Sequence, residues 1–233
     1  MLRRSVLGLM AVTAALPMTR ALAQDEPAAT DLFGTDTGVA APPADTIAAG
    51  GLTPEQSQII NAISAYNTSI KSMQGQFLQI DTQGARIEGT FRLLRPGRIR
   101  FRYNPPSKEE IVSRGAGFYI LNREDKTYYA YPQDAVPLRQ FLDEKIDLLS
   151  ANIVAVQESP NYFAVTLSDE TPKGTVRVEL AFDRATMDLV QWVLADPSGS
   201  ELTFSLYNVE KNVEISAAYF TIDASYTPKD PGT

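Results

Sequence analysis

Across residues 93–106 the chain reads LLRPGRIRFRYNPP, with Arg98, Arg100 and Arg102 alternating with Ile99, Phe101 and Tyr103. A period of two sends the two sets to opposite faces, so this stretch is a strand with one apolar and one cationic side. The preceding run, 89–95, puts Phe91, Leu93 and Arg95 on a single face. An arginine that closes an apolar face just ahead of Pro96-Gly97 points to an apolar surface that stays reachable and carries one fixed cation at its rim.

Short runs of this kind recur down the chain. Strands are expected at 76–81, 86–95, 98–103, 109–113, 117–121, 127–131, 152–158, 162–167, 174–182, 188–195, 201–207 and 213–222, divided by turns such as Gln83-Gly84, Pro160-Asn161 and Pro197-Ser198-Gly199. Their even spacing argues for an antiparallel meander curling toward a barrel. Two stretches break the pattern. Thr53, Pro54 and Gln56 form a capping box, and Ile59, Ile63, Tyr66, Ile70 and Met73 then recur at steps of three and four, so a helix is expected up to Gly75. Between 134 and 150, Leu138, Phe141, Leu142, Ile146 and Leu149 suggest one or two short amphipathic helices. The expected fold is therefore mainly β with an α lid, an α+β arrangement: an incomplete antiparallel β-barrel of about eleven strands covered by short helices. Residues 52–228 are expected to form one domain, with 229–233 as a polar tail.

The N-terminus reads as a secretory signal. Arg3 and Arg4 precede a short apolar run, and Ala21-Leu22-Ala23 fits the small-x-small cleavage pattern, so residues 1–23 are expected to be removed. The apolar run is short of the roughly 20 residues that a bilayer span needs. The arginine pair leaves both general and twin-arginine export open. Residues 24–51, rich in Ala, Pro, Asp, Thr and Gly, read as a disordered spacer. Cleavage would leave 18 basic and 28 acidic residues, a net charge of −10, which disfavours nucleic acid as a partner.

The chain has no cysteine and no histidine. That excludes Ser-His-Asp and Cys-His catalysis, the common zinc sites and a lipid-modified cysteine. Export without cysteine suits a bacterial periplasm. Glu109-Glu110, Asp143-Glu144 and Asp169-Glu170 are adjacent carboxylates, but neighbours on a strand face opposite ways, so they read as surface charge and not as acid/base pairs. A carboxylate glycosidase needs neither missing residue type, yet it favours aromatic sugar-stacking surfaces and this chain has a single tryptophan, Trp192. No enzyme, metal or cofactor is expected.

Several local sequences, in order, resemble the LolA family of outer-membrane lipoprotein carriers. The opening helix runs into Met73-Gln74-Gly75-Gln76-Phe77-Leu78-Gln79, followed by Gly89-Thr90-Phe91-Arg92-Leu93-Leu94-Arg95-Pro96. Then come the aromatic strand ending at Pro105-Pro106, the turn Ile111-Val112-Ser113-Arg114-Gly115, the Tyr128 to Pro132 region and Phe220-Thr221-Ile222. Arg114 stands where family members usually carry Asp. The resemblance implies a half-open barrel with a helical lid that binds acylated lipoproteins. It also implies an inner-membrane lipoprotein-releasing ABC transporter as donor and an outer-membrane acceptor lipoprotein, where one exists, as recipient. It implies work as a monomer in the periplasm.

A chain of about sixteen carbons withdrawn from water is worth on the order of 12 kcal/mol, so such a cargo needs an apolar cavity and no chemistry. Phe91, Leu93, Ile99, Phe101, Tyr103, Ile111, Tyr119 and Leu121 are the candidates for the cavity wall, with ordinary core packing as the alternative. Ile63, Tyr66, Ile70, Leu138, Phe141 and Leu142 are the candidates for the lid. Arg95 is either an exposed strand-end residue or an inward, paired cation; the resemblance implies that it bonds backbone groups of the lid and latches it. Arg98, Arg100 and Arg102 form either a solvated outer face or a docking face for an acidic partner or anionic headgroups. A second reading of the whole chain is a periplasmic sensor or regulatory module that recognises lipoproteins or lipids without transporting them.

Overall fold

The computed structural model describes residues 45–46, 51–133, 136, 139–171 and 174–229. The expected signal peptide, most of the spacer, Leu138 and residues 230–233 of the tail lie outside the described residues.

Helix α1 (Pro54–Ser69) begins as its capping box requires: the Thr53 hydroxyl accepts from the Gln56 N–H, and the Gln56 side chain accepts from the Thr53 N–H, both at 3.1 Å. It stops six residues short of Gly75. Ile70 already has extended backbone, and Gly75 lies inside a strand. A step of three between Ile70 and Met73 fits a helix, but a backbone with ladder partners on both sides is better satisfied extended. Both side chains keep their burial.

The strands are β1 (Asp45–Thr46), β2 (Ser72–Ile80), β3 (Arg86–Leu94), β4 (Arg98–Tyr103), β5 (Glu109–Arg114), β6 (Gly117–Asn122), β7 (Thr127–Pro132), β8 (Ile153–Glu158), β9 (Tyr162–Thr171), β10 (Gly174–Asp183), β11 (Leu189–Ala195), β12 (Glu201–Lys211) and β13 (Thr227–Pro228). They form one sheet in the order β1-β8-β9-β10-β11-β12-β2-β3-β4-β5-β6-β7-β13. Every pairing is antiparallel except β13 on β7. The two ends of this order do not pair with each other, so the sheet is open, and its eleven longer strands, β2–β12, are flanked by two-residue strands at the edges. Asp45–Thr46, within the expected spacer, pairs with Val156 and Ala155.

The stretch 213–222 is not a strand. It holds a single 3-10 turn, Ala217–Phe220, capped by the Ser216 side chain. Its aromatic content looks strand-like, but Tyr219 and Phe220 are anchors. The turn packs on β4 and β5 and buries Phe220 against the sheet.

Cross-strand register separates two faces. Phe77, Phe91, Phe101, Trp192, Phe204, Leu180 and Val165 belong to the inner face, which shares one core with Ile60 and Ile63 of α1. Two further 3-10 turns, Arg139–Leu142 and Leu148–Ser150, also cover that face and bury Phe141, Leu142 and Leu148. They stand where short amphipathic helices were expected. The outer face is crossed by the segment after β12.

Candidate functional site

The inner face is close-packed around Phe77, whose ring meets Phe101 and Tyr103 edge-on, each with centroids 5.1 Å apart. Gly89 makes this possible, because a Cβ there would stand 2.3 Å from the Arg102 carbonyl oxygen and 2.5 Å from the Phe77 ring. Phe101 is the hinge of the cluster, stacked on Phe91 at 5.9 Å and edge-on to Trp192 at 6.1 Å. Trp192 in turn stacks on Phe204 at 5.0 Å.

Beyond these rings the packing is incomplete. An apolar cavity of about 170 Å³ lies between the inner face and the Arg139–Leu142 turn. Phe91, Leu93, Ile99, Phe101 and Ile111 wall it from β3, β4 and β5; Leu189, Trp192, Leu194, Phe204 and Leu206 wall it from β11 and β12. Met73, Phe118, Val136, Phe141 and Leu142 complete the apolar wall, and Asn67 and Arg95 are its polar members. Sequence reasoning reached half of this wall and missed the β11–β12 half, where Trp192 and Leu194, and Phe204 and Leu206, carry the same period-two signal, while a bulge that skips Val190 brings Leu189 to the same face.

Three expected wall residues sit elsewhere. Tyr103 is on the inner face but lies past the cavity, packed on Phe77 with its hydroxyl donating to Gln79. Burial raises its phenol well above the usual range, with Glu109 adding to the effect. Tyr119 and Leu121 are on the outer face. Val112 pairs with Tyr119 and Glu110 with Leu121, so the inner positions of β6 are Phe118 and Ile120. A strand reading GFYILN is apolar on both sides, and a one-residue error in register exchanges its faces. The inner face then continues across β7 to Tyr129 and Tyr131, which pair with Ile120 and Phe118 and are each 37% exposed.

Arg95 points inward and is 6% exposed. Its Nε donates to the Phe141 carbonyl at 3.2 Å, and Nη1 donates to the Ile70 carbonyl, so one guanidinium joins the Arg139–Leu142 turn to the end of α1. Burial pushes its pKa down to about 10, which leaves it charged near neutrality. Close by, the Gly97 N–H donates to the Leu142 carbonyl at 2.7 Å. The other lid residues divide between roles. Ile63 is core, Phe141 and Leu142 face the cavity, and Tyr66 donates its hydroxyl to Asp188 at 2.7 Å. Lys211 bonds the same carboxylate at 2.8 Å, and Asn67 donates to the Met187 carbonyl at 3.1 Å, so α1 is also tied to the β10–β11 turn.

The arginine face is only partly solvated. Arg102 is exposed, whereas Arg100 donates to Glu110 at 2.9 Å and to the Tyr219 carbonyl at 2.6 Å. Arg92 lies 4.1 Å from the Tyr219 ring centroid, a cation–π contact that helps hold the C-terminal segment to the sheet. Glu110, expected to be surface charge, is 2% exposed because this segment and its arginine cover it. Two larger hollows, of about 670 Å³ beside Arg114, Tyr128 and Asp223 and about 340 Å³ beside Arg139 and Asp169, have walls that mix polar and apolar surface, unlike the inner-face cavity.

The model of the family described as "Outer membrane lipoprotein carrier protein LolA" matches residues 68–223. An outer-membrane lipoprotein carrier protein of Cupriavidus taiwanensis is 23% identical over 193 residues, covering 72% of this chain and 84% of that protein. One from Neisseria meningitidis is 25% identical over 175 residues, covering 71% and 83%. Among solved structures, a LolA superfamily protein of Nitrosomonas europaea aligns over 70% of this chain and 97% of its own, at 9% identity and a TM-score of 0.41. MucB aligns over 74% and 64%, at 17% identity and a TM-score of 0.39.

Proposed function

The chain belongs to the LolA family of outer membrane lipoprotein carrier proteins, and from that premise we propose that it binds the acyl chains of lipoproteins in the inner-face cavity and carries them through the periplasm from inner to outer membrane. The family is one of carriers and not of catalysts. The observation that carries the finer reading is an apolar cavity walled by aromatic and aliphatic side chains from both halves of the inner face, with one buried arginine among them. A cavity of about 170 Å³ is similar in size to an engineered apolar cavity of about 150 Å³ that takes a single benzene. It therefore admits the end of an acyl chain and must widen to take the whole. The Arg139–Leu142 turn is the part whose displacement would widen it, because Phe141 and Leu142 form that wall while Arg95 and Gly97 hold their carbonyls. Cargo entering would break those bonds, and their re-formation would favour release.

Among the described residues no helix is long and apolar enough to cross a membrane, which agrees with a carrier that travels between membranes. On this reading residues 1–23 are an export signal, an ABC transporter at the inner membrane loads the carrier, and an acceptor lipoprotein at the outer membrane unloads it where one exists. The test is purification under native conditions followed by mass spectrometry of what co-purifies. Acylated protein or acyl lipid in the preparation supports the reading. A ligand-free protein that also rejects apolar fluorophores overturns it.

A further inference from the structure

We propose that the buried Arg95 guanidinium recognises the carbonyl group of an acyl chain, so that the cavity selects ester- or amide-linked acyl groups over plain hydrocarbon. This rests on the carrier reading and adds the chemical class that the cavity takes. A guanidinium has five N–H donors in one plane. Here Nε serves the Phe141 carbonyl and Nη1 the Ile70 carbonyl, while Nη2 is buried and has no partner among the described residues. An unpaired donor on a buried charge is costly, which makes it a strong contact for any acceptor that arrives. Arg95 lies on the wall of the cavity, whose other members are apolar apart from Asn67. The Asn67 amide nitrogen is already committed to the Ile63 and Met187 carbonyls. A hydrocarbon tail packed on Leu93, Ile99 and Phe101 would leave Nη2 as it is. A chain whose carbonyl comes up to Nη2 as the Arg139–Leu142 turn moves aside would satisfy it, with the guanidinium still protonated.

The experiment compares a long-chain methyl ester with the corresponding methyl ether as displacers of an apolar fluorophore, on the unaltered protein and on Arg95→Leu. Taking the ratio of the two ligands in each protein removes their difference in hydration. The ester-to-ether preference should fall by about tenfold or more in the variant, as expected for one hydrogen bond to a charged group. An unchanged ratio, with both ligands bound, overturns this inference and leaves the carrier reading standing. Failure of both ligands to bind the unaltered protein overturns the carrier reading and this one together. A carbon-13 label on the ester carbonyl gives a readout that needs no variant. Its infrared stretch should move to lower frequency in the complex, and the frequency of a free carbonyl contradicts the proposal. An acylated peptide and a diacyl phospholipid carry the same carbonyl, and labelling each in turn identifies which source shows the shift.

Discussion

Arg95 joins three segments through single atoms, and this makes its replacement informative. Removing the guanidinium frees the Phe141 and Ile70 carbonyls but also removes a buried charge, so Arg95→Leu should stay folded. Transfer of a labelled lipoprotein from this carrier to outer-membrane acceptors should slow by roughly tenfold, because reclosing loses at least one charge-assisted bond. Arg95→Lys should recover part of the rate, since a single ammonium cannot copy the fork. Transfer at the unaltered rate in Arg95→Leu would remove the residue from the mechanism. Gly89 matters for the opposite reason, that nothing fits there. Gly89→Ala must displace the Phe77 ring or the Arg102 backbone, and denaturant unfolding should show a loss of about 1–3 kcal/mol. Arg95 was legible in the sequence as a cation ending an apolar face. The need for glycine at 89 was not, because the ring that covers it comes from a different strand, twelve positions earlier.

At the scale of elements, helix α1 shows where local signals suffice and where they fail. Its start was legible to the residue because a capping box is made by side chains three apart. Its end was not, since the competing bonds at 72–80 come from β3 and β12, the latter distant in sequence. The same reason hid the outer-face segment: Tyr219 and Phe220 read as strand residues until the sheet places Arg92 and Arg100 beneath them. Glu110→Ala should therefore cost about 1.5–3 kcal/mol in unfolding, as expected when a hydrogen bond between charged groups is lost from a part-buried site; a loss below about 1 kcal/mol would place the pair among surface ion pairs. The tie between α1 and Asp188 has a pH signature. Burial acts to raise that carboxyl, but bonds from Lys211, Tyr66 and Thr186 outweigh it and hold it below the ordinary range. Its contribution is thus complete above about pH 4 and is lost as pH falls through the depressed folded value. Asp188→Asn should flatten the acid limb of the stability curve, and an unaltered limb would mean that the tie contributes nothing.

At the scale of the whole molecule, one open sheet carries two different jobs on its two faces. The outer face carries the Arg100–Glu110 pair and the C-terminal segment, and the inner face carries the aromatic core, the cavity and the part-exposed Tyr129 and Tyr131. Alternation along each strand made the count of strands and the existence of an apolar face legible. Which residues meet across that face depends on register, so Leu189, Trp192 and Phe204 were missed while Tyr119 and Leu121 were assigned to the wrong side. If the cavity holds acyl chains, competition binding will show it. An apolar fluorophore is loaded into the protein, then titrated with a lipoprotein and with the same lipoprotein stripped of its acyl chains. The acylated form should displace the fluorophore at one equivalent, the stripped form should not, and Phe101→Glu should bind neither fluorophore nor cargo because a charge then stands in the wall. Equal displacement by both forms, or undiminished binding by a folded Phe101→Glu, would contradict the account.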